Sequence, residues 1–191
     1  MRLFVALHPP SEALDDLAGQ LGKLRISAAA RAGAAVRLVE PATAHVTLVF
    51  IGEIEPDRLP TVLTAVGRAA GRYRAEAGPL RIELTGGGVF GAGRSTVLWV
   101  GVRDGAGLLD LLAALVREEL DRDRLPYDVR PFRAHLTIAR PGDRVARTDV
   151  DADRQALDGY RGPAWPATEL TLVRSHLGQP TRHDRLATWS L

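Results

Sequence analysis

The chain opens with an unbroken apolar run, Leu3 to Leu7, which His8 and two prolines bring to an end. A run of this length bounded by breakers predicts a buried first strand. At Ser11 the period changes. Leu14, Leu17, Leu21 and Leu24 recur every three or four residues, the stripe of an amphipathic helix for which Ser11 is the expected N-cap. Residues 36–41 (VRLVEP) and 45–52 (HVTLVFIG) read as extended, the second closed by Gly52. Helical period returns from Pro56 to about Arg72, where Leu59, Val62, Leu63 and Val66 share a face. A strand by alternation follows at 80–84 (LRIEL), then the glycine-rich TGGGVFGAGR, then a strong apolar strand, STVLWVGV.

The second half passes through the same kinds of element. Residues 106–122 (AGLLDLLAALVREELDR) predict a third helix with its charges gathered near the end, residues 131–141 (PFRAHLTIARP) a strand, and Val150 to Leu157 a fourth helix. ATELTLVRSHL and DRLATWSL predict two closing strands joined by the turn-prone GQPTRH. Strands and helices mix without strict βαβ alternation, so the expected class is α+β. Two strands share a frame: PATAHVTL (41–48) and PFRAHLTI (131–138) both read Pro-x-x-Ala-His-apolar-Thr-apolar. The match suggests an internal duplication that gives two lobes related by an approximate two-fold axis.

Side chains alternate across a strand, so His45 and Thr47 face one way while Val46 and Leu48 face the other; His135 and Thr137 stand likewise against Leu136 and Ile138. If the lobes face each other, two imidazoles and two hydroxyls converge on one cleft about the size of a phosphate. In-line phosphodiester cleavage asks for such a set. One imidazole removes a proton from the attacking oxygen and the other gives one to the leaving oxygen, tasks suited to a group titrating near pH 6.5. The threonine hydroxyls can hydrogen-bond the non-bridging oxygens. Either histidine alone would read as a half-buried packing residue; the shared frame is what points to function. A metal site built on His45 and His135 is the weaker alternative, because threonine rather than a carboxylate or third histidine accompanies each. His8, His176 and His183 have no such frame and read as structural or surface residues.

Composition narrows the classes. At 191 residues, with 46% hydrophobic and 25% charged, the chain reads as a single globular domain over 1–191. No apolar stretch approaches the roughly 20 residues of a membrane helix, and the opening lacks a signal-peptide cleavage site, so no membrane partner and a cytoplasmic location are expected. The chain has no cysteine, which excludes disulfides, thiolate nucleophiles and cysteine-ligated zinc. Of its 25 basic residues only Lys23 is lysine, and the formal net charge is +2. A coding bias toward arginine, alanine, glycine and proline accounts for most of them, so charge alone argues little for nucleic acid.

The paired motifs AHVTLVFIG and AHLTIAR resemble the His-x-Thr-x motifs of the 2H phosphoesterases. The opening MRLFVAL with its two prolines, and the segment GVFGAGRSTVLWVGV, are similar to the RNA 2′,3′-cyclic phosphodiesterase branch, also called 2′-5′ RNA ligases. The likeness runs in order from Met1 to about Leu177. It implies a two-lobed α+β fold, two antiparallel sheets with pseudo-two-fold symmetry around a central cleft and helices outside. It also implies hydrolysis of RNA ends bearing a 2′,3′-cyclic phosphate to 2′-phosphomonoesters, with no metal or other cofactor, and the capacity to join RNA through a 2′-5′ bond. His45 falls at the proton donor and His135 at the acceptor, with Thr47 and Thr137 on the phosphate. The chain departs from the pattern at Ala134, where proline is common, near Leu38 and Val39, where an aromatic residue is, and in its shorter tail. Phe90, Phe132 and Trp99 are candidates for base stacking, although Trp99 also suits the core. Arg94, Arg133 and Arg140 are candidates for the phosphate backbone. A monomer acting on RNA ends is the expected form. The alternatives are a related enzyme for another small cyclic phosphate or a 2′-5′ oligonucleotide, and a catalytically silent RNA-binding module.

Overall fold

A computed structural model describes residues 1–142, 145–176, 178 and 182–191. In chain order the strands are β1 (Arg2–Leu7), β2 (Arg37–Leu38), β3 (Val46–Glu53), β4 (Arg81–Phe90), β5 (Val97–Arg103), β6 (His135–Arg140), β7 (Trp165–Pro166), β8 (Glu169–His176) and β9 (Arg182–Ser190). The helices are α1 (Ser11–Leu21), α2 (Arg25–Arg31), α3 (Leu59–Glu76), α4 (Leu108–Arg122) and α5 (Arg147–Ala156).

Among the described residues the strands follow one strongly curled path, β7-β4-β5-β6-β3-β1-β8-β9, with β2 beside β6. Every pairing is antiparallel, and the centre is thin: β3 and β6 join only at Val46 and Leu136. The path is therefore two antiparallel sheets, β3-β1-β8-β9 (lobe A) and β6-β5-β4-β7 (lobe B), meeting at the motif strands. The expected α+β architecture with its pseudo-two-fold axis is the one observed. The axis passes by the Val46–Leu136 bridge and exchanges β1 with β5, β3 with β6 and β4 with β8.

The halves of the chain do not each build one lobe. After α3 the first half crosses over to place β4 in lobe B, and after α5 the second half crosses back to place β8 in lobe A. The helices are exchanged too. α4 packs on β3, α3 on α4, β8 and β9, and α5 on β4 and α2. The apolar side of each motif strand, Val46 and Leu48 or Leu136 and Ile138, is buried under these helices, leaving the opposite face open.

Local chemistry explains where the elements differ from the pattern. Ser11 is the first helical residue rather than the cap, and Pro10 precedes it with no side-chain cap bond. The leucine stripe breaks after Leu21, because Leu24 is the extended N-cap of α2. The Asp153 carboxylate of α5 accepts bonds from the backbone N–H groups of Arg25 and Ile26, each at 2.8 Å, satisfying donors that a helix start leaves open. Residues 56–58 form a 3₁₀ turn before α3. The first six residues of the glycine-rich segment extend the strand, since β4 runs through to Phe90, and Gly93–Ser95 form a 3₁₀ turn. Part of the expected turn between the closing strands, residues 179–181, lies outside the described residues. No helix among the described residues is long and apolar enough to cross a membrane.

Candidate active site

The open face between the lobes is a cleft of about 1520 Å³ whose lining includes His45, Thr47, His135 and Thr137. The Val46–Leu136 bridge explains the convergence. Counting one residue either way along antiparallel strands sets His45 toward Thr137 and Thr47 toward His135.

Both imidazoles are anchored in the same way. His45 Nδ1 lies 2.6 Å from the Thr43 carbonyl oxygen, and His135 Nδ1 lies 2.6 Å from that of Arg133. A carbonyl only accepts, so each Nδ1 carries the proton and donates it. Each Nε2 is then free to exchange a proton in the cleft. Neither threonine hydroxyl has a hydrogen-bond partner among the described residues, which leaves both for a ligand. Burial lowers the pKa of His45 from its ordinary 6.5 to about 4; its bond to Thr43 opposes this, and the nearby His183 and His135 add to it. His135 is lowered too, by burial first, against the Arg133 carbonyl and with the Arg133 and Arg140 charges. Both shifts favour the uncharged ring in the free protein.

Each motif strand also carries a β-bulge. The β1–β3 register slips between Thr47 and Val49, and the β5–β6 register slips between Thr137 and Ala139. A bulge re-aims the residues beyond it. Phe50 and Arg140, each five places after its histidine, thereby turn back into the cleft wall.

The surroundings of the two histidines differ. His135 meets the edge of Phe90 at a centroid distance of 4.9 Å, Phe90 packs on Trp99 at 4.9 Å, and the Arg133 guanidinium sits 4.9 Å over the Trp99 ring. Trp99 is only 7% exposed, so it supports this wall from the core. His45 packs on Phe4 at 4.7 Å and meets His183 edge-on at 5.1 Å, with His8 at 6.4 Å. Burial lowers His8 to about 4 and lowers His183 as well. His183 and His8, read from the sequence as structural or surface residues, thus stand beside His45, a placement the sequence reading did not anticipate. The signal was the pairing of β9 with β8 and β8 with β1, which local sequence does not carry. His176 pairs with Asp184 at 2.5 Å on the same wall.

The remaining candidates divide. Phe90, Phe132, Arg133 and Arg140 line the cleft; Arg94, on the exposed turn Gly93–Ser95, is not among its lining residues. Arg37 also lines it and stands directly across the β2–β6 register from Arg140. Neither arginine has a carboxylate partner among the described residues, and burial and the Arg37 charge both lower the Arg140 pKa. Two adjacent guanidinium groups without a carboxylate partner among the described residues suit an anion. No cluster of three or more His, Cys, Asp or Glu among the described residues is arranged to hold a metal ion.

Known proteins resemble this chain in sequence and in fold. An RNA 2′,3′-cyclic phosphodiesterase of Thermus thermophilus is 32% identical over 185 residues, 93% of this chain and 83% of that protein. The crystal structure of TT0787 of Thermus thermophilus superposes with a TM-score of 0.75 at 27% identity, covering 100% of this chain and 98% of the other. Escherichia coli LigT complexed with 3′-AMP gives a TM-score of 0.67 at 25% identity, covering 100% and 97%. The family match runs over residues 9–179, and with both motif strands inside it the chain belongs to the 2′-5′ RNA ligase superfamily.

Proposed function

We propose that the chain is a 2H phosphoesterase that hydrolyses RNA 2′,3′-cyclic phosphate ends to 2′-phosphomonoesters without a metal, and that 1–191 works as one domain with one motif in each lobe. The observation that carries this is the pair of Nδ1-anchored imidazoles presenting two free Nε2 atoms to one cleft. His135 Nε2 takes a proton from water as its oxygen attacks phosphorus; the P–O3′ bond breaks, and His45 gives its Nε2 proton to the departing ribose oxygen. The phosphate stays on O2′, and proton exchange with solvent resets the pair. Thr47 and Thr137 hold the non-bridging oxygens. Run in the same sense with an RNA 5′-hydroxyl in place of water, the steps join two ends through a 2′-5′ bond: O5′ attacks phosphorus, His135 takes its proton, and His45 protonates the departing O3′. The name of the Thermus relative supports the substrate class, and the 3′-AMP complex of LigT supports nucleotide-sized ligands. One chain supplies both motifs, so a monomer is sufficient, and the cytoplasm, where RNA ends arise, is the proposed location. The deciding experiment is turnover of a nucleoside 2′,3′-cyclic phosphate by the purified protein in excess chelator, with the product identified against 2′- and 3′-phosphate standards. Loss of turnover that one metal restores would sink the two-histidine scheme, and binding without turnover would leave only an RNA-binding module.

The lowered pKa values set the pH dependence. Catalysis needs one ring protonated and the other neutral. Both titrate below 6.5 in the free protein, so the productive form dwindles as pH rises above that value. A bell-shaped kcat/KM profile is expected with its maximum on the acid side of 6.5, its limbs belonging to the pair. A bound phosphodiester anion favours the charged ring, so the alkaline limb of kcat should lie at higher pH than that of kcat/KM. A kcat/KM that holds level from pH 6.5 to about 8 would contradict this.

Salt reports on the arginines. If Arg37, Arg133 and Arg140 engage phosphates beyond the reacting one, oligonucleotide binding falls more steeply with salt than mononucleotide binding. The log–log slope should be steeper by roughly 0.7 for each added phosphate contact. Equal slopes would confine recognition to the terminal nucleotide.

A further inference from the structure

Each motif histidine meets one ring edge-on, and the two rings are not alike. In lobe B it is Phe90, 4.9 Å from His135 with the planes at 87°; in lobe A it is His183, 5.1 Å from His45 at 76°. We propose that His183 is a positioning residue for the general acid: it holds the His45 ring as Phe90 holds that of His135, and it competes with His45 for a proton, so that a charged His183 turns the acid off. The inference rests on the cyclic-phosphodiesterase reading, which makes His45 the acid, and adds a control on that acid that the base lacks.

The fold supplies His183 to one lobe only. Followed inward from its two ends, the strand path sets β9 of lobe A against β7 of lobe B. β7 is two residues long and β9 is nine, so lobe A has a full outer strand where lobe B has a stub. In the register His183 stands opposite Ser175 of β8, and Ser175 opposite Arg2 of β1. The His183 ring packs on Phe4 at 5.2 Å and 72° as well as on His45, and Phe4 in turn lies 4.7 Å from His45. Three rings thus fix one another's planes, through contacts that depend on direction and not on apolar area alone.

Chemistry supplies the control. Phe90 cannot take a proton and His183 can. Neither ring nitrogen of His183 has a hydrogen-bond partner among the described residues, and the nearby Asp184 is bonded to His176 instead. The other groups facing His45 offer its charge no partner either. His8, at the end of β1, stands 6.4 Å away under the charge of Arg185 of β9, His135 faces it from β6, and its own Nδ1 is taken by the Thr43 carbonyl. Two imidazolium charges about 5 Å apart with no anion between them repel, so a proton on one ring disfavours a proton on the other. Burial lowers the pKa of both rings, and the proximity of His183 lowers that of His45 further. As pH falls below 6.5, a proton that settles on His183 is withheld from His45.

Two measurements decide it: an NMR titration of the imidazoles in the free protein, and kinetics on a nucleoside 2′,3′-cyclic phosphate. His183→Gln removes the charge, so the His45 resonance, assigned by its loss in His45→Ala, should titrate at higher pH than in the parent. His183→Ala removes the ring as well, and kcat should fall by roughly 2- to 13-fold, the worth of one edge-on ring pair. His183→Phe returns an edge-on ring that cannot titrate. It should recover kcat relative to His183→Ala, and its acid limb of kcat/KM should lie at lower pH than the parent's, because the acid must be charged and no neighbouring charge then opposes it. Since His183 acts through His45, adding His183→Ala to His45→Ala should cost almost nothing more. An unmoved His45 titration in His183→Gln, or losses that multiply in the double variant, would overturn the assignment. A parent protein without turnover would instead overturn the cyclic-phosphate reading, a failure the titration tells apart because it needs no substrate.

Discussion

Replacing His45 or His135 by alanine lowers kcat/KM toward a nucleoside 2′,3′-cyclic phosphate by roughly 10²- to 10⁴-fold in each case, the usual contribution of a positioned general acid or base. The two losses should differ in kind. His45→Ala removes the proton for the ribose oxygen, so a substrate with a leaving group that needs no protonation should be spared much of the defect. His135→Ala leaves that proton in place and removes the base, so the same substrate should gain nothing. Thr47→Val and Thr137→Val should cost less, since each deletes one hydrogen bond of about 0.5–1.5 kcal/mol and spares both proton transfers. Thermal unfolding of each variant separates lost chemistry from lost fold. A well-folded His45→Ala protein with near-parental turnover would remove His45 from the mechanism. A 3′-phosphate product would exchange the two roles.

Gly88→Ala should be the most damaging small change. Gly88 stands opposite Trp99 in the β4–β5 register, and a Cβ there would lie only 1.9 Å from the Trp99 ring. Trp99 has nowhere to retreat, being almost wholly buried and packed against Phe90 and Arg133. Overpacking of this kind costs typically about 1–3 kcal/mol, and because Phe90 rests against His135 the damage reaches the cleft. Both Tm and kcat should fall. Introducing Trp99→Leu into the Gly88→Ala protein should recover part of the lost Tm by opening space. A Gly88→Ala protein with the parental Tm would mean that the ring does not occupy this place.

The glycine-rich segment shows what the sequence could and could not convey. Read locally, TGGGVFGAGR looks like a loop. Its first six residues are strand because bulky neighbours take the place of the missing side chains: a Cβ at Gly87 would meet Leu157 at 2.6 Å, as one at Gly88 would meet Trp99. Those neighbours are distant in sequence, so no window contains the reason. The motif histidines were legible for the opposite cause. Strand alternation is local, and the repeated Pro-x-x-Ala-His-apolar-Thr-apolar frame carried both the face and the pairing of His45 with His135. His183, Arg37 and Phe50 were not legible. His183 depends on the β8–β9 register, Arg37 on its pairing opposite Arg140, and Phe50 on a bulge that reverses the face alternation predicts.

The double crossing of the chain between the lobes bears on how such a molecule could arise and come apart. A half-length ancestor ending after β4 would hold the two central strands of one lobe and only an outlying strand for the other. Two copies trading their last strands would close both lobes and bring two identical motifs together, which is the arrangement of a strand-swapped homodimer. Two such copies fused into one chain would be free to differ at equivalent places, as Phe50 and Arg140 do. The crossing also ties the walls to each other: each lobe is completed by strands from the far half, so neither can unravel without taking part of its neighbour with it.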